Sequence, residues 1–376
     1  MRADAGTIAL VWDNFGPMHL DRCEAVKDHF AGKRRVVGIE ICGGSDVYAW
    51  ESPSPDVAEK VTLFPERKPN ELGVFARAFA LVAACQRVKA TDIFMCHYDH
   101  PATLIASFLL RLSGRRLYVM GCSKFDDYER RLMREVVKSI FFFPYIGGIS
   151  SGKRARDYMR FLGIPAARVR TEYNTLSIDR IRRMAGVLPA PDGVPFEERH
   201  FIIVARFVPK KNLAMALDAY SQYAKIAQEK LKPLHLCGAG PMEAELRAKV
   251  AELGLTDQVV FRGFLQTDDI ARALGHSLAL LLPSIEEQFG NVVIEAQAMG
   301  LPVIVSDNCG ARDALVRSGV NGFIVEPDNP VGLSFFMSTI AGDRELWVRM
   351  CSEARASAHL GDVCAFAKGV SDLVAT

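Results

Sequence analysis

Short apolar runs recur along the chain, and the segments between them repeat apolar residues every three or four positions. In the first half, the runs predict β-strands and the intervening segments predict helices. The predicted strands lie at 8–13, 36–42, 92–97, 117–121 and 141–149. The predicted helices begin near His19, near Val74, after Pro101 and near Tyr128. Alternation of this kind gives a parallel sheet with helices on both faces.

The second half restarts this alternation after a segment rich in Pro and charge, 187–199, which has the composition of a linker. Its predicted strands lie at 201–205, 234–237, 259–262, 278–282, 303–306 and 323–325, with helices over 213–229 and 243–253. We therefore predict an α/β chain with doubly wound domains at 1–186 and 200–357, and a tail at 358–376 that packs back on the first domain. A cleft between two such domains would suit a reaction of two substrates.

Composition narrows the class of protein. Of the 376 residues, 49% are hydrophobic, but no apolar run approaches the ~18 residues that cross a bilayer. The run 140–146 is short and contains Pro, so we interpret it as a buried strand rather than a membrane-dipping loop. Residues 1–7 lack the apolar core of a signal peptide. The nine cysteines form no C-x-x-C pair, which favours a reducing cytoplasm and argues against a zinc cluster.

Charge is unevenly distributed, although the net charge is only +2. Residues 1–190 contain 29 Lys and Arg against 21 Asp and Glu, whereas the remainder is acidic. This asymmetry suggests an anionic partner for the first half, either a membrane surface or a phosphate-bearing acceptor; a solvated excess without a partner is the alternative. Dispersed basic residues and the lack of a recognisable motif argue against nucleic acid.

A basic cluster in the first half bears on the membrane alternative. It consists of Arg130, Arg131, Arg134 and Lys138, with Leu132, Val136 and Val137 among them. On a helix these cations fall near one another, so the segment could lie on a membrane interface. The alternative is a solvated helix face that packs on its own domain.

The segment 287–295 carries the most specific chemistry. It begins with Glu287 in a loop after a predicted strand and ends with Glu295 in an apolar helix. Open parallel sheets bind ligands at this end of their strands. A carboxylate in an apolar helix needs a hydrogen-bonding partner, and the helix N-terminus at Gly290 and Asn291 offers N–H groups to an anion. A ligand with hydroxyls and phosphate, such as a nucleotide sugar, fits this description; accidental spacing of a surface Glu and a half-buried Glu is the alternative.

Three further segments follow predicted strands of the second half. Arg206 and Lys211 could neutralise a diphosphate, or could belong to an ordinary solvated basic loop. Gly238 lies in a Gly-Ala-Gly-Pro turn that permits close backbone approach, but such turns also simply cap α/β units. Backbone groups near Phe264 could pair with the edge of a base, or could be structural.

In order and spacing, these segments resemble the retaining family 4 glycosyltransferases of the GT-B fold, most strongly over 200–330. The resemblance implies two doubly wound, Rossmann-like domains that face each other across a cleft. It implies that Arg206 and Lys211 grip the donor diphosphate, and that Gly238 and Phe264 also belong to the donor site.

The resemblance also assigns roles within the segment 287–295. Glu287 would face the donor sugar near its anomeric centre. The backbone at Phe289, Gly290 and Asn291 would contact sugar and phosphate. Glu295 would accept hydrogen bonds from the ribose hydroxyls, which would explain a Glu in an apolar helix.

The first half matches the family less distinctively. Gly16 lies where the family places a loop near the diphosphate and the acceptor, and His97 lies on a strand that carries a His before a Pro. Many members have another His just after the fourth strand, whereas 118–127 contains none here. The residues that could take its role are His97, His100, Lys124, Asp126 and Asp127. We name Glu287, His97 and Asp126 as candidate catalytic residues; for His97 a buried structural role is the alternative.

The resemblance implies a cytoplasmic, metal-independent, retaining glycosyltransferase that needs no cofactor. It would move a hexose-type sugar from a nucleoside diphosphate donor to an acceptor hydroxyl, in cell-surface polysaccharide or glycolipid biosynthesis. Its expected partners are the nucleotide sugar, a saccharide or lipid-linked saccharide acceptor, and an anionic surface at the inner face of the cell membrane. Two alternatives remain open: another enzyme of the fold, such as a nucleotide-sugar epimerase or a sugar phosphorylase, and a non-catalytic module that binds nucleotide sugar.

Overall fold

The computed structural model describes residues 6–44, 59–127, 129–227 and 230–375. The chain forms two compact units, the first comprising Met1–Ser177 and Val363–Thr376, the second Ile178–Asp362. The division therefore differs from the predicted one, in which 187–199 was a linker. Those residues pack within the second unit: the N–H of Ala190 donates to the carbonyl oxygen of Met299 at 2.8 Å, and Nζ of Lys232 donates to that of Phe196 at 2.7 Å.

The first unit is built on a seven-stranded sheet. Its strands are β1 (Thr7–Trp12), β2 (Arg35–Cys42), β3 (Lys60–Phe64), β4 (Ala90–Met95), β5 (Arg116–Gly121), β6 (Gly147–Ser150) and β7 (Val169–Arg170). All pair in parallel, in the order β3-β2-β1-β4-β5-β6-β7. Every residue of the central strand β1 is buried. Burial on both faces explains why the central strands are continuous apolar runs rather than alternating ones.

Helices cover both faces of this sheet. They are α1 (Pro17–Phe30), α2 (Val74–Arg87), α3 (Pro101–Leu112), α4 (Leu132–Phe142), α5 (Gly152–Phe161) and the C-terminal helix Val363–Val374. The C-terminal helix lies against α1, so the end of the chain returns to the first unit. The helix predicted to begin near Tyr128 begins at Leu132, and Tyr128 itself lies outside the described residues.

The strand predicted at 141–149 is wrong over its first part. Residues 140–142 end helix α4, a turn follows, and β6 begins only at Gly147. Phe142 and Tyr145 are buried, whereas Ile140 and Phe143 are exposed. An apolar run this short is compatible with a helix end as well as with a strand, because both can bury part of it.

The second unit is built on a six-stranded sheet, also parallel throughout. Its strands are β8 (His200–Val204), β9 (Leu234–Cys237), β10 (Val259–Gly263), β11 (Ser277–Leu282), β12 (Val303–Ser306) and β13 (Gly322–Val325). Its helices are α6 (Ile178–Ala185), α7 (Leu213–Ala227), α8 (Glu243–Glu252), α9 (Thr267–Gly275), α10 (Val292–Ala298), α11 (Arg312–Leu315), α12 (Pro330–Gly342) and α13 (Arg344–Ser357). The C-terminal helix of the first unit, Val363–Val374, is therefore α14. The last two residues of the helix predicted over 213–229 lie outside the described residues.

Strand order reverses once in each sheet, between β1 and β4 in the first and between β8 and β11 in the second, whose order is β10-β9-β8-β11-β12-β13. At such a point the connections of neighbouring strands diverge to opposite faces and leave a crevice at the carboxyl ends of the strands. We call these two places the first and the second switch point. None of the helices in the described part of the chain has the length and apolarity required to span a bilayer.

Candidate functional site

The loops that follow β8 and β11 meet at the second switch point. Lys211, in the loop after β8, forms an ion pair with Glu287, in the loop after β11. Both side chains are mostly buried. The backbone joins the loops as well, because the N–H of Ile285 donates to the carbonyl oxygen of Lys210 at 2.8 Å. Asn212 adds a side-chain bridge from Nδ2 to the carbonyl oxygen of Pro283 at 3.2 Å. Lys211, a predicted donor-binding residue, and Glu287, a predicted catalytic residue, therefore lie together, although they are 76 positions apart in sequence.

A third loop holds the segment around Glu287 in place. The N–H of Gly310 donates to the carbonyl oxygen of Glu287 at 3.1 Å, and that of Ala311 to the carbonyl oxygen of Phe289 at 2.9 Å. Phe289 is buried, so its side chain anchors the loop and only its backbone is placed to meet a ligand. Gly290 has a φ of +99°, and a Cβ there would lie 2.8 Å from Cδ2 of Leu282, so this position requires glycine.

Helix α10 begins directly after this loop, with Asn291 as its N-cap. The N–H groups of Gly290 and Val292 have no hydrogen-bond acceptor among the described residues. Glu295 stands one turn further along α10, partly buried, and its carboxylate accepts no hydrogen bond from any residue that the structure describes. Burial raises the pKa of Glu295 to about 7, against the opposing effect of the positive charge of Arg180. A carboxyl in this state gains from a ligand that donates hydrogen bonds to it.

The remaining predicted donor residues lie at the ends of β8, β9 and β10. Arg206 is exposed, and its guanidinium has no ion pair or hydrogen bond within the described ranges. Gly238 has a φ of +148°, and a Cβ there would lie 1.8 Å from the carbonyl oxygen of Ala205. The glycine therefore serves the packing of two loops of the protein itself. The side chain of Phe264 is 57% exposed.

At the first switch point, the structure places a different set of side chains. Asp13 follows β1, while His97 and His100 follow β4. Nδ1 of His100 lies 3.0 Å from Oδ2 of Asp13, and the rings of His97 and His100 stack with centroids 5.1 Å apart. Burial alone would raise the pKa of Asp13, but His100, His97 and Arg77 hold it below its usual range. The interaction with the neighbouring Cys96 raises the pKa of His97 above its usual value, against the opposing effect of burial.

The other residues singled out in the first unit have separate surroundings. The N–H of Gly16 donates to Nδ1 of His19 at 2.8 Å, which fixes the start of α1. Asp126 is exposed and pairs with Arg154 at 2.9 Å. Among the described contacts, nothing joins Asp126 to His97, so these two candidate catalytic residues belong to different clusters.

Two neighbours of Asp126 in sequence, Lys124 and Asp127, stabilise the local structure. Lys124 is buried, and its N–H donates to Oδ2 of Asp127 at 2.7 Å. The Lys124 Nζ and the Asp127 Oδ1 lie 3.5 Å apart, so the two side chains stabilise the turn after β5 from within. Of the residues that could replace the family's usual His, His97 and His100 share one cluster at the first switch point, whereas Lys124, Asp126 and Asp127 lie together in the turn after β5.

The predicted basic cluster on α4 is only partly exposed. The guanidinium of Arg130 is buried over the ring of Tyr158, 4.3 Å from its centroid, and Nζ of Lys138 lies 3.3 Å from Oε1 of Glu135. Arg131 and Arg134 remain exposed. The exposed face of α4 and the residue after it is otherwise apolar: Leu132, Met133, Val136, Val137, Ile140 and Phe143.

Sequence reasoning missed Asp13 and Asn212. Asp13 was assigned to the first strand. An Asp directly after a buried central strand indicates a functional site in the same way as His97, which follows β4. Asn212 has a φ of +58°, and its side chain also donates to the carbonyl oxygen of Pro327 at 2.6 Å. No local pattern indicates that role, because all its partners are distant in sequence.

Comparison with known proteins shows what this chain is similar to. Residues 189–356 match the family model described as "Glycosyl transferases group 1". An uncharacterized glycosyltransferase of Methanocaldococcus jannaschii is 30% identical over 151 residues, which cover 40% of this chain and 38% of that protein. N-acetyl-alpha-D-glucosaminyl L-malate synthase of Bacillus anthracis is 29% identical over 350 residues, 87% of this chain and 89% of that protein. A putative colanic acid biosynthesis glycosyltransferase of Salmonella typhimurium is 29% identical over 68% of this chain and 63% of its own length.

Solved structures match the chain over almost its whole length. The HepE structure from Anabaena, in complex with UDP and glucose, superimposes with a TM-score of 0.73 at 16% identity and covers 98% of this chain and 99% of that one. Sucrose-phosphate synthase from Thermosynechococcus elongatus gives a TM-score of 0.71 at 19% identity, with 98% of each chain covered. The predicted α/β fold of the GT-B type is confirmed. The family model covers less than half of the chain; together with the curated relatives named as glycosyltransferases, it shows that the second unit is similar to group 1 glycosyltransferases.

Proposed function

We propose that the protein transfers a sugar from a nucleoside diphosphate sugar to an acceptor hydroxyl, with retention of anomeric configuration and without a metal ion. The observation that carries this proposal is the second switch point. It combines Arg206, a cation without an ion pair in the described part of the chain, with the ion pair of Lys211 and Glu287 and the partly buried Glu295. All four lie within the segment that matches the glycosyltransferase family model.

The donor diphosphate would lie against the loop after β8. Arg206 offers a planar fork of donors and Lys211 a point charge, and together they would stabilise the charge that develops on the leaving diphosphate. The N–H groups of Gly290 and Val292 would add donors at the start of α10. This set can do without Mg²⁺, which is why we propose metal-independent transfer.

The donor sugar would lie against Glu287, since the ion pair holds this carboxylate beside the cation that receives the phosphate. In the proposed reaction, the bond from the anomeric carbon to the leaving phosphate oxygen breaks, and the acceptor oxygen bonds to the same face of that carbon. The acceptor proton goes to the leaving phosphate. Glu287 would stabilise the positive charge on the sugar ring as the first bond breaks.

The ribose of the donor would lie over α10, with its hydroxyls donating to Glu295. No residue that the structure describes donates a hydrogen bond to this carboxyl, and its raised pKa reflects the cost of holding a charge there. The donor itself is of the class bound by structural relatives: HepE has been solved with UDP and with UDP-glucose.

In the first unit, we favour His97 over Asp126 as the residue that assists the acceptor. His97 lies at the first switch point beside Asp13, whereas Asp126 is exposed and neutralised by Arg154. Relatives named for colanic acid and amylovoran biosynthesis favour a saccharide acceptor in polysaccharide assembly.

We further propose that α4 docks on an anionic membrane surface, where a lipid-linked acceptor would reside. Six exposed apolar side chains on or next to one short helix, flanked by the exposed Arg131 and Arg134, have the composition of an interfacial helix. Flotation with anionic vesicles tests this. Met133→Ser with Val137→Ser should release the protein, and Arg131→Gln with Arg134→Gln should make binding weaker at low salt. Val331→Ser, an exposed apolar position of the second unit, is the control.

The experiment that tests the function is a thermal-shift panel of UDP-, GDP- and ADP-sugars in EDTA, followed by product analysis with the best donor. One donor class should stabilise the protein, by about 2.7 kcal/mol at a hundredfold excess over its Kd. Transfer should persist in EDTA. If no nucleotide sugar shifts the transition, the proposed donor site is wrong; if transfer requires added Mg²⁺ or Mn²⁺, the metal-independent mechanism is wrong.

A further inference from the structure

Three metal-ligating side chains meet at the first switch point, and the proposed transfer reaction uses only one of them. Asp13, His97 and His100 each present one ligand atom, and these atoms all lie within 4.8 Å of one another. Oδ2 of Asp13 and Nδ1 of His100 are 3.0 Å apart.

The backbone holds these side chains in place. His97 has a φ of +55°, and its carbonyl oxygen accepts a hydrogen bond from the N–H of His100 at 3.0 Å, which closes a turn between β4 and α3. That turn stacks the two imidazole rings at an angle of 20°. Asp13 is fixed from the other side, because its carbonyl oxygen accepts from the N–H of Cys42 at 2.8 Å. The geometry of the cluster is thus set by the ends of two adjacent strands.

The cluster also contains an orphaned polar atom. Nδ1 of His100 is shielded from solvent, and no residue that the structure describes is aligned with it for a hydrogen bond. The Asp13 oxygen is close to Nδ1 but off the line of an N–H bond, so the contact is not an aligned hydrogen bond. A buried nitrogen without an aligned partner gains from an ion placed between it and the carboxylate. The rest of the His100 side chain is 38% exposed, which gives an ion access.

We propose that Asp13, His97 and His100 bind one divalent transition-metal ion of the class of Zn²⁺, Co²⁺ and Ni²⁺. Two imidazoles and a carboxylate suit these ions, whereas Mg²⁺ and Ca²⁺ require oxygen ligands. Bonds of about 2.0–2.1 Å place neighbouring ligand atoms of a tetrahedral site roughly 3.3 Å apart, near the observed 3.0 Å separation of Asp13 and His100. Rotation of the His97 side chain would have to close the remaining distance, since the three ligand atoms lie within 4.8 Å of one another. Transfer does not require this ion, and ligation would occupy His97.

The test is a titration of the untagged full-length protein, freed of metal with EDTA and dialysed, with Co²⁺ followed by visible absorption and with Zn²⁺ followed by calorimetry. We expect one ion per chain. His97→Asn, His100→Gln and Asp13→Asn should each lower the affinity about tenfold or more. His97→Asn is preferred to Ala because Asn tolerates a positive φ. The control is His359→Ala, which removes an exposed histidine of the second unit.

Thermal unfolding in EDTA separates loss of the site from loss of the fold. The wild type and all variants should unfold at similar temperatures in EDTA, and Zn²⁺ should raise the transition only for the wild type and His359→Ala. If His97→Asn and His100→Gln bind Co²⁺ and Zn²⁺ as tightly as the wild type, or if the wild type binds neither ion, the proposal is overturned. A variant that fails to fold is replaced by its partner in the pair, since either histidine alone is decisive.

Discussion

The two switch points share a topology and differ in chemistry. In each sheet, strand order reverses between two neighbouring strands, β1 and β4 in the first and β8 and β11 in the second. The loops that follow these two strands come together at their carboxyl ends. The second holds an Arg, a Lys–Glu ion pair and a glycine-bearing helix start, which suit phosphate and hydroxyl groups. The first holds an Asp and two His residues, which suit proton transfer or a transition metal.

The difference separates the effect of strand order from the effect of the residues in the loops. Strand order determines where two loops meet, so both sites can be located from topology alone. The residues in those loops determine what binds there. The same fold therefore presents the proposed anion- and hydroxyl-binding site in one unit and an imidazole–carboxylate cluster in the other.

The largest effect is expected at the ion pair of the second switch point. Glu287→Gln removes the charge proposed to stabilise the sugar cation, and should lower the transfer rate about 10²–10³-fold, in the range found for lost transition-state contacts. Donor affinity should change much less. Initial rates and calorimetry on the same preparation measure both, with Glu286→Gln, an exposed neighbour, as the control. A Glu287→Gln enzyme with normal turnover would remove this carboxylate from the mechanism.

The next largest effect is expected on nucleotide affinity, when the proposed contact with the ribose is removed. Glu295→Ala deletes the proposed acceptor for the ribose hydroxyls, and nucleotide binding should weaken by about 1.5–3 kcal/mol, the usual worth of a hydrogen bond to a charged group. Calorimetric titration of the cognate nucleoside diphosphate gives the value, and Glu252→Ala on α8 serves as the exposed control. Unchanged affinity in Glu295→Ala would mean that the ribose lies elsewhere.

A smaller effect on nucleotide affinity is expected from a substitution in the loop after β8, and its size should depend on the number of phosphates in the nucleotide. Arg206→Ala should weaken binding of the nucleoside diphosphate about tenfold, and that of the monophosphate less, because the guanidinium is proposed to contact the distal phosphate. Lys210→Ala is the matched control, since Lys210 is an exposed cation of the same loop. Equal losses for both nucleotides would place Arg206 away from the distal phosphate.

The smallest effect concerns stability and pH. Because the pKa of Glu295 is raised to about 7 from 4.5, the stability that its proton provides is fully present below about pH 4.5 and is lost as the pH rises through about 7. Without ligand, the wild type should therefore lose roughly 1 kcal/mol relative to Glu295→Gln between pH 5 and pH 8, after allowance for partial exposure. Urea unfolding at both pH values measures the difference. A constant difference would show that Glu295 titrates normally.

Much of the fold was predictable because it depends on local patterns. The strands at 234–237 and 303–306 have the predicted bounds, since both are buried apolar runs between clear turns. Strand β3 was missed because it is only half-buried and lacks such a run. Helix α5 was missed because it is strongly polar, with its apolar residues confined to one face.

The site was predictable in part, for a related reason. Loop position and residue type identified Arg206, Lys211, Glu287 and Glu295 as candidates within one unit. The pairing of Lys211 with Glu287 was not predictable, because contacts between residues so far apart in sequence depend on strand order, which local patterns do not contain. The contact between Asp13 and His100 was not predicted, for the same reason. The exposed, Arg154-paired position of Asp126 likewise required the tertiary structure.

The measurement that tests the central claim most directly is a calorimetric titration of the cognate nucleoside diphosphate, in EDTA, against variants of both switch points. Arg206→Ala, Lys211→Ala and Glu295→Ala should each weaken binding about tenfold or more. Asp13→Asn and His100→Gln should leave the Kd within about twofold of the wild type, because their cluster is proposed to bind no part of the nucleotide. If the variants of the first switch point lose affinity and those of the second do not, the nucleotide binds at the imidazole–carboxylate cluster and the assignment of the donor site is contradicted.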